Sequence, residues 1–376
     1  MILMLLSLVV FLYIAVSLLL FAPCGPYLKG FSLAVLLPVS LKYVIYEQVG
    51  GAFFAPALPR PFLLVAEALF GAMILLFFLL LLKDVFLLLA WGGKRLGLPW
   101  SFPLFPAWLK AGMVVTALLL GVWGTWQSVR VPQVRTVELH LEKLPPGLDG
   151  FSVVQLTDLH IGPLQKKEWL QQVVRAVNGE SPDLVVLTGD YIDGTASALE
   201  EDIAPLAGLR ARHGVYGVTG NHEYYWNAAE WSALLQRLHV TMLFNEHRVL
   251  HIGGDKIVIA GLPDHAARSF GGKGPDCDAA LRGAPDAPRI LLAHQPRDAA
   301  KNSLCADVQL SGHTHGGLIF FLQPLIAGFN QGFVEGLYAV GDMKLYVSPG
   351  TGLWSAFSCR IGVAPEITRL VLRSGK

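Results

Sequence analysis

Of the 57 charged residues in this 376-residue chain, only ten fall within the first 128 positions. No other feature constrains the fold as strongly. The sparse stretch holds Glu47, Glu67 and Asp84 against Lys29, Lys42, Arg60, Lys83, Lys94, Arg95 and Lys110, while all 11 histidines lie at or after His140. An overall apolar content of 53% is therefore an average over two unlike parts: an apolar N-terminal third and a remainder that carries the polar chemistry. A membrane-crossing helix needs about 20 mostly apolar residues. Met1–Pro23 meets this without a charge and lacks the basic start of a cleaved leader, so a retained helix is expected. Phe31–Tyr46 is a weaker candidate, broken by Pro38 and Lys42. Pro61–Leu82 is strong despite Glu67, and apolar residues resume at Val85–Trp91 after Lys83-Asp84. Ala111–Trp126 is the fourth. A buried core helix is excluded for Phe62–Leu82, which has one charge in 21 positions and no polar face to turn to water.

The expected organisation is a transmembrane anchor over 1–128, a linker with a first strand over 129–150, and a globular domain over 151–376. With four spans, the N-terminus and the globular domain share a side of the membrane. Lys29, Lys94, Arg95 and Lys110 then face Arg60, Arg130 and Arg135 across it, and the positive-inside rule places the globular domain outside the cytoplasm. A net charge of +1 gives no sign of a nucleic-acid partner. Cys24, Cys277, Cys305 and Cys359 form no Cys-x-x-Cys pair; they read as buried structural thiols and leave the redox compartment open.

After Thr136–Glu142 and a Pro145-Pro146-Gly147 turn, short β-branched runs alternate with helical periodicity. The runs are Ser152–Leu156, Leu184–Thr188, Val215–Thr219, Lys256–Ala260, Arg289–Leu292, Val308–Leu310 and Lys344–Val347; helices are expected over Lys166–Val177 and Ala229–Leu238. That alternation predicts an α/β fold with much parallel sheet. Asp158-Leu159-His160, Gly189-Asp190, Gly220-Asn221-His222-Glu223, His294 and Gly312-His313-Thr314-His315 each fall a few residues after a run, at the strand ends where α/β sheets collect their sites. Carboxylate, amide and imidazole donors together suit Mn, Fe or Zn. There are enough of them for two ions sharing a bridging group, an arrangement used to hydrolyse phosphate esters. Any single motif is common by chance, whereas five histidines in ordered, strand-terminal positions are not.

The set Asp-x-His, Gly-Asp-x-x-Asp, Gly-Asn-His-Glu, His and Gly-His-Thr-His resembles the calcineurin-like metallophosphoesterase superfamily. Gln155–Gly162, Leu187–Asp190, Gly312–Gly317 and Pro365–Ile367 resemble, within it, membrane-associated bacterial phosphoesterases of the YkuE/YaeI type. The resemblance covers roughly 136–373. It implies a two-sheet αββα sandwich behind the transmembrane helices, in a bacterial inner membrane. It also implies that Asp158, His160 and His315 bind one divalent ion, that Asn221, His294 and His313 bind a second, and that Asp190 bridges them. A hydroxide between the ions then attacks phosphorus. His222 is the implied catalytic histidine and Asp193 its orienting carboxylate, although Asp193 also reads as a loop cap before Gly194. Arg360 reads either as a contact to substrate phosphate or as a surface residue.

The expected activity is metal-dependent hydrolysis of a phosphate mono- or diester. A membrane-derived substrate, such as a phospholipid or a lipid A precursor, is expected because an anchor confines the site near the bilayer. In addition, Tyr224-Tyr225-Trp226 and Leu318–Leu322 with Leu325-Ile326 directly follow ligand motifs. Two alternatives are weaker. A protein phosphatase lacks any visible docking insert to support it, and an inactive scaffold or transporter is disfavoured by the intact motifs and by Glu67 being the sole acid in a span core.

Overall fold

The structure, a computed structural model, describes residues 2–20, 25–98 and 105–375. Cys24 and the end of the first expected span, Phe21–Pro23, lie outside the described residues. The chain divides into two compact units: Met1–Gln127 with Ser355–Cys359, and Ser128–Trp354 with Arg360–Lys376.

In the first unit, α1 (Ile2–Ile14) runs on through a wider turn, Ala15–Leu20. Next come α2 (Pro26–Ser40), α3 (Lys42–Gln48), a two-residue hairpin of β1 (Gly51–Ala52) and β2 (Ala55–Pro56), α4 (Arg60–Arg95) and α5 (Ala107–Val129). Among the described residues, three helices are long and apolar enough to cross a membrane, or four if the α2–α3 pair, bent by 59°, is one span. The bend falls just after Pro38, where the sequence already weakens the second span. The third span and the apolar run after it form one 36-residue helix rather than two segments. The charges at its middle do not break it because they are matched: Lys83 Nζ lies 2.7 Å from Asp84 Oδ1, and Tyr13 and Ser17 donate to Asp84. Lys42 likewise meets Glu67 at 2.8 Å, with Tyr46 donating to the same carboxylate. Charges in apolar surroundings persist only when paired in this way.

The second unit opens with β3 (Gln133–Leu141), β4 (Ser152–Leu156), α6 (Lys167–Gly179), β5 (Leu184–Leu187), α7 (Ala196–Ile203) and β6 (Val215–Gly217). It continues through α8 (Asn221–Tyr225), α9 (Ala228–Arg237), β7 (Val240–Met242), β8 (Glu246–Ile252), β9 (Asp255–Gly261), β10 (Arg289–Leu292) and β11 (Val308–Ser311). It closes with β12 (Gly336–Val340), β13 (Met343–Val347) and β14 (Glu366–Ser374). One six-stranded sheet has the order β3-β14-β4-β5-β6-β7 and the other β12-β13-β11-β10-β9-β8. Strands β4 to β7 run parallel, as do β9, β10, β11 and β13; antiparallel β8 and β12 edge the second sheet.

Side chains alternate across each strand, so one strand serves two cores. Val154, Leu156, Val185 and Leu187 pack against Leu170, Val173 and Val177 of α6 and Trp231 of α9. Val153, Leu184 and Val186 turn the other way and meet Ile257, Ile259, Ile290 and Leu310 of the second sheet. A third cluster, with Val258, Leu291 and Leu345, backs that sheet on its outer face. The result is the expected αββα sandwich. What it fixes for function is simple: strands buried on both faces leave only their ends free to carry polar chemistry.

Candidate active site

The strand ends carry it. Asp158 and His160 follow β4, Asp190 follows β5, Asn221 and His222 follow β6, His294 follows β10, and His313 and His315 follow β11. Five of these, Asp158, His160, Asp190, His313 and His315, have φ between 45° and 70°. A left-handed backbone at a non-glycine residue costs about 1–3 kcal/mol and persists only where its surroundings over-determine it. Here the loops hold one another. Asp158 N–H donates to Gly189 O, His160 N–H to Asp190 O, and His313 N–H to the Asp158 carboxylate at 3.1 Å. Two glycines permit the close approach. A Cβ on Gly312 would stand 2.2 Å from Asp158 Oδ2, and one on Gly189, itself at φ 91°, would stand 2.5 Å from Gly220 N.

Among the described residues the side chains converge as three groups that could each hold a metal ion: Asp158, His160 and His315; Asp190, His294 and His313; and His160, Asp193 and His222, the last sharing His160 with the first. Within each set the ligand atoms lie within 4.8 Å of one another. In the first, His160 and His315 bring their Nε2 atoms to 3.3 Å, and His315 Nε2 is 3.5 Å from Asp158 Oδ1. In the second, His294 Nε2 lies 3.1 Å from Asp190 Oδ2 and 3.3 Å from His313 Nδ1. Asp190 Oδ2 is also 3.8 Å from His160 Nε2, so the same carboxylate borders both groups. Asn221 Oδ1 is buried without a hydrogen-bond partner among the described residues. Convergent carboxylate and imidazole atoms, with a buried amide oxygen on the adjoining loop that has no partner among the described residues, are a donor set that could hold divalent cations.

Electrostatics favour the coordinating form at Asp190, His313 and His315, whereas burial raises the Asp158 carboxyl and Asp190 raises His294 against its burial. Burial alone would raise the Asp190 carboxyl, but His294, His222 and His160 hold it well below the usual carboxylate range. Burial and the His294 charge push His313 down to about 3, and burial with His160 and Arg360 pushes His315 well below its ordinary value. Both rings are neutral at physiological pH, the form that coordinates. His294 Nδ1–H donates to Thr188 O, 2.7 Å away, which fixes the ring with Nε2 toward Asp190.

Asp193 joins two histidines. Its Oδ1 is 2.5 Å from His222 Nδ1 and its Oδ2 is 3.2 Å from His160 Nδ1. It is therefore more than a loop cap before Gly194. Burial disfavours a charged His222, yet the Asp190 and Asp193 carboxylates raise it to about 9.

Three sequence expectations need revision or supplement. Arg360 is neither a surface residue nor aimed at solvent: it is fully buried and donates to the carbonyls of His315, Pro349 and Gly352 at 2.8–3.2 Å. Its guanidinium fork braces the loop that carries His315. Cys277 and Cys305 are joined in a disulfide, not held as two thiols, because α-helical Cys277 and the turn before β11 bring them together; Cys359 is a buried free thiol. Glu223, quoted in its motif without a role, accepts from the backbone N–H of Gly220, Asp190 and Tyr191 at 2.6–3.1 Å and so sets the Asp190 loop. A Glu three residues after the Gly220 N-cap, placed to accept from that residue's N–H, was the available signal. Of the apolar residues beside the motifs, Tyr225, Phe320, Phe321 and Leu325 are exposed, whereas Ile319 is buried.

This fold and constellation are those of a metallophosphoesterase domain, on a chain whose helices are long and apolar enough to cross a membrane, and comparison with known proteins gives the same class. The calcineurin-like phosphoesterase family pattern matches residues 151–317. A bovine transmembrane protein with metallophosphoesterase domain is 41% identical over 339 residues, covering 84% of this chain and 75% of that one. An uncharacterized metallophosphoesterase of Campylobacter jejuni is 36% identical, covering 80% and 79%, and the uncharacterized metallophosphoesterase YkuE of Bacillus subtilis is 34% identical, covering 68% and 91%. The chain belongs to the calcineurin-like phosphoesterase family.

Proposed function

We propose that this protein hydrolyses a phosphate mono- or diester at a two-metal centre, with Asp190 shared between the ions. The observation that carries the reading is the pair of buried ligand groups meeting at that one carboxylate, with Asn221 Oδ1 left open beside them. Asp158, His160 and His315 would hold one ion; Asn221, His294 and His313 would hold the other. Two bound divalent ions (Mn, Fe or Zn by the donor set) would supply a water of lowered pKa and offset charge building on the phosphate oxygens. His222, held at Nδ1 by Asp193, keeps Nε2 inward, 4.0 Å from Asp190 Oδ2, and gives its proton to the leaving oxygen. Asp193 fixes the tautomer that this role needs.

The substrate we infer is membrane-derived, a phospholipid or lipid A precursor. Apolar spans on the same chain and exposed Tyr225 and Phe320 beside the ligand loops support it. A bilayer location with the catalytic unit outside the cytoplasm is supported by the Cys277–Cys305 disulfide, a bond that persists in oxidising compartments. The test is a hydrolysis screen of the metal-stripped, purified full chain with Mn²⁺ or Zn²⁺ restored, setting water-soluble mono- and diesters against glycerophospholipids and lipid A precursors. Turnover of lipid esters above soluble ones supports the reading, and turnover of soluble esters alone removes its lipid part.

A further inference from the structure

The segment after His315 is built inside out for a water-facing element. Phe320–Phe329, a tight turn running into the Gln323–Phe329 helix, is a short apolar helix with no charged residue. A surface helix normally turns its polar residues outward. Here the exposed positions are Phe320, Phe321, Pro324, Leu325, Gly328 and Phe329. Within the Gln323–Phe329 helix, at 100° per residue, Pro324, Leu325, Gly328 and Phe329 lie within one half of the circumference. The large members are well open: Phe320 is 56% exposed, Leu325 57% and Phe329 68%. The polar residues point the other way. Gln323 Nε2 donates to Gly316 O and to the Glu335 carboxylate, and Asn330 is buried. An outward face that is wholly apolar on an element pinned by polar bonds beneath it marks an interaction surface.

We propose that the Phe320–Phe329 face enters the headgroup–acyl boundary of the bilayer that the apolar helices cross, as a monotopic membrane contact of the catalytic unit. It rests on the membrane reading of those helices, not on the choice of substrate. Two observations select a lipid surface as the occupant. First, α5 ends at Val129 and β3 begins at Gln133, so at most about 14 Å of chain, at ~3.5 Å per residue, links an apolar helix to the first strand of the sheet. Second, the exposed face has neither charge nor hydrogen-bonding side chains, which suits acyl chains and offers a protein partner no polar rim. Phe320 N–H also donates to Ile361 O, one residue from Arg360, and Gln323 holds the Gly316 carbonyl beside His315. Insertion of this face therefore brings the His315 loop to the lipid surface.

The experiment uses the full chain reconstituted in vesicles of phosphatidylcholine and phosphatidylglycerol. A nitroxide is attached at Leu325→Cys in a Cys24→Ser background, with a second sample labelled at Asp342→Cys, an exposed turn position. Collision with membrane-soluble oxygen is compared with collision with a water-soluble nickel chelate. The expected result is a Leu325 label open to oxygen and shielded from nickel, with the reverse at 342. Adding Phe321→Asp and Phe329→Asp should raise nickel access at 325 about tenfold while the melting temperature stays unchanged. A 325 label as open to nickel as the 342 label overturns the proposal. So does a label shielded from both reagents, which would mean that protein covers the face.

Discussion

Asp193→Asn is the most informative single change, because one carboxylate faces two imidazoles. Oδ1 meets His222 Nδ1 at 2.5 Å and Oδ2 meets His160 Nδ1 at 3.2 Å, with the carboxylate fully buried. An amide of the same shape offers one acceptor oxygen and one donor group. If the oxygen stays on His222, the NH₂ faces His160 Nδ1 and pushes that ring's proton to Nε2, the atom directed at the first ligand group. If the amide is flipped, His222 loses its acceptor and takes the wrong tautomer for proton donation. Either way one charge-assisted interaction, about 1.5–3 kcal/mol, is lost. That corresponds to about a 10- to 150-fold change at 1.4 kcal/mol per decade, in line with the ~10–100-fold typical of residues that orient a metal ligand. The assay is turnover of a soluble diester as a function of added metal, comparing wild type, Asp193→Asn and Asp193→Ala. We expect the loss to appear either as weaker metal activation or as lower kcat at saturating metal. An Asn variant within twofold of wild type in both would refute the dual role.

Other expectations are more direct. His222→Ala should keep its metal content and lose about 10²–10⁴-fold in kcat, with a smaller loss for p-nitrophenolate, which leaves without a proton; loss of metal instead would make His222 a ligand. Arg360→Met removes three bonds from a buried cation and strands the Pro349 and Gly352 carbonyls, while His315 O keeps the Leu318 N–H; it should destabilise the folded protein by about 2–6 kcal/mol, read as a lower melting temperature, and an unchanged melt would show that the loop does not need its brace. In the metal-stripped protein His222 is raised from 6.5 to about 9, so its pairing with Asp190 and Asp193 stabilises fully below pH 6.5 and fades as pH climbs through 9. The melting temperature should fall across that window, and His222→Ala should flatten the fall.

Much of this was legible in the sequence because burial writes itself as pattern. Ser152–Leu156 and Arg289–Leu292 are strands with the expected bounds, since both their faces meet apolar cores. Edge strand β8, Glu246–Ile252, has a half-exposed, charge-bearing face and gives no such run, so it went unseen. Three-residue β7 is too short to show a period. The ligand motifs stood out because Asn and His seldom follow a buried strand. The left-handed backbone at Asp158, Asp190 and His315 did not, because φ there is imposed by hydrogen bonds from loops distant in sequence. Arg360 and the Cys277–Cys305 bond have the same origin: each depends on which loops the sheets bring together, and nothing local records it.

The central claim is that two ions share Asp190. Elemental analysis of the purified full chain, alongside diester turnover before and after chelation, tests it most directly. The account predicts about two divalent ions per chain, activity lost on chelation and restored by Mn²⁺ or Zn²⁺, and an Asp190→Ala variant that lacks both the ions and the turnover. Chelator-resistant turnover, or an Asp190→Ala protein with wild-type metal content and rate, would contradict it.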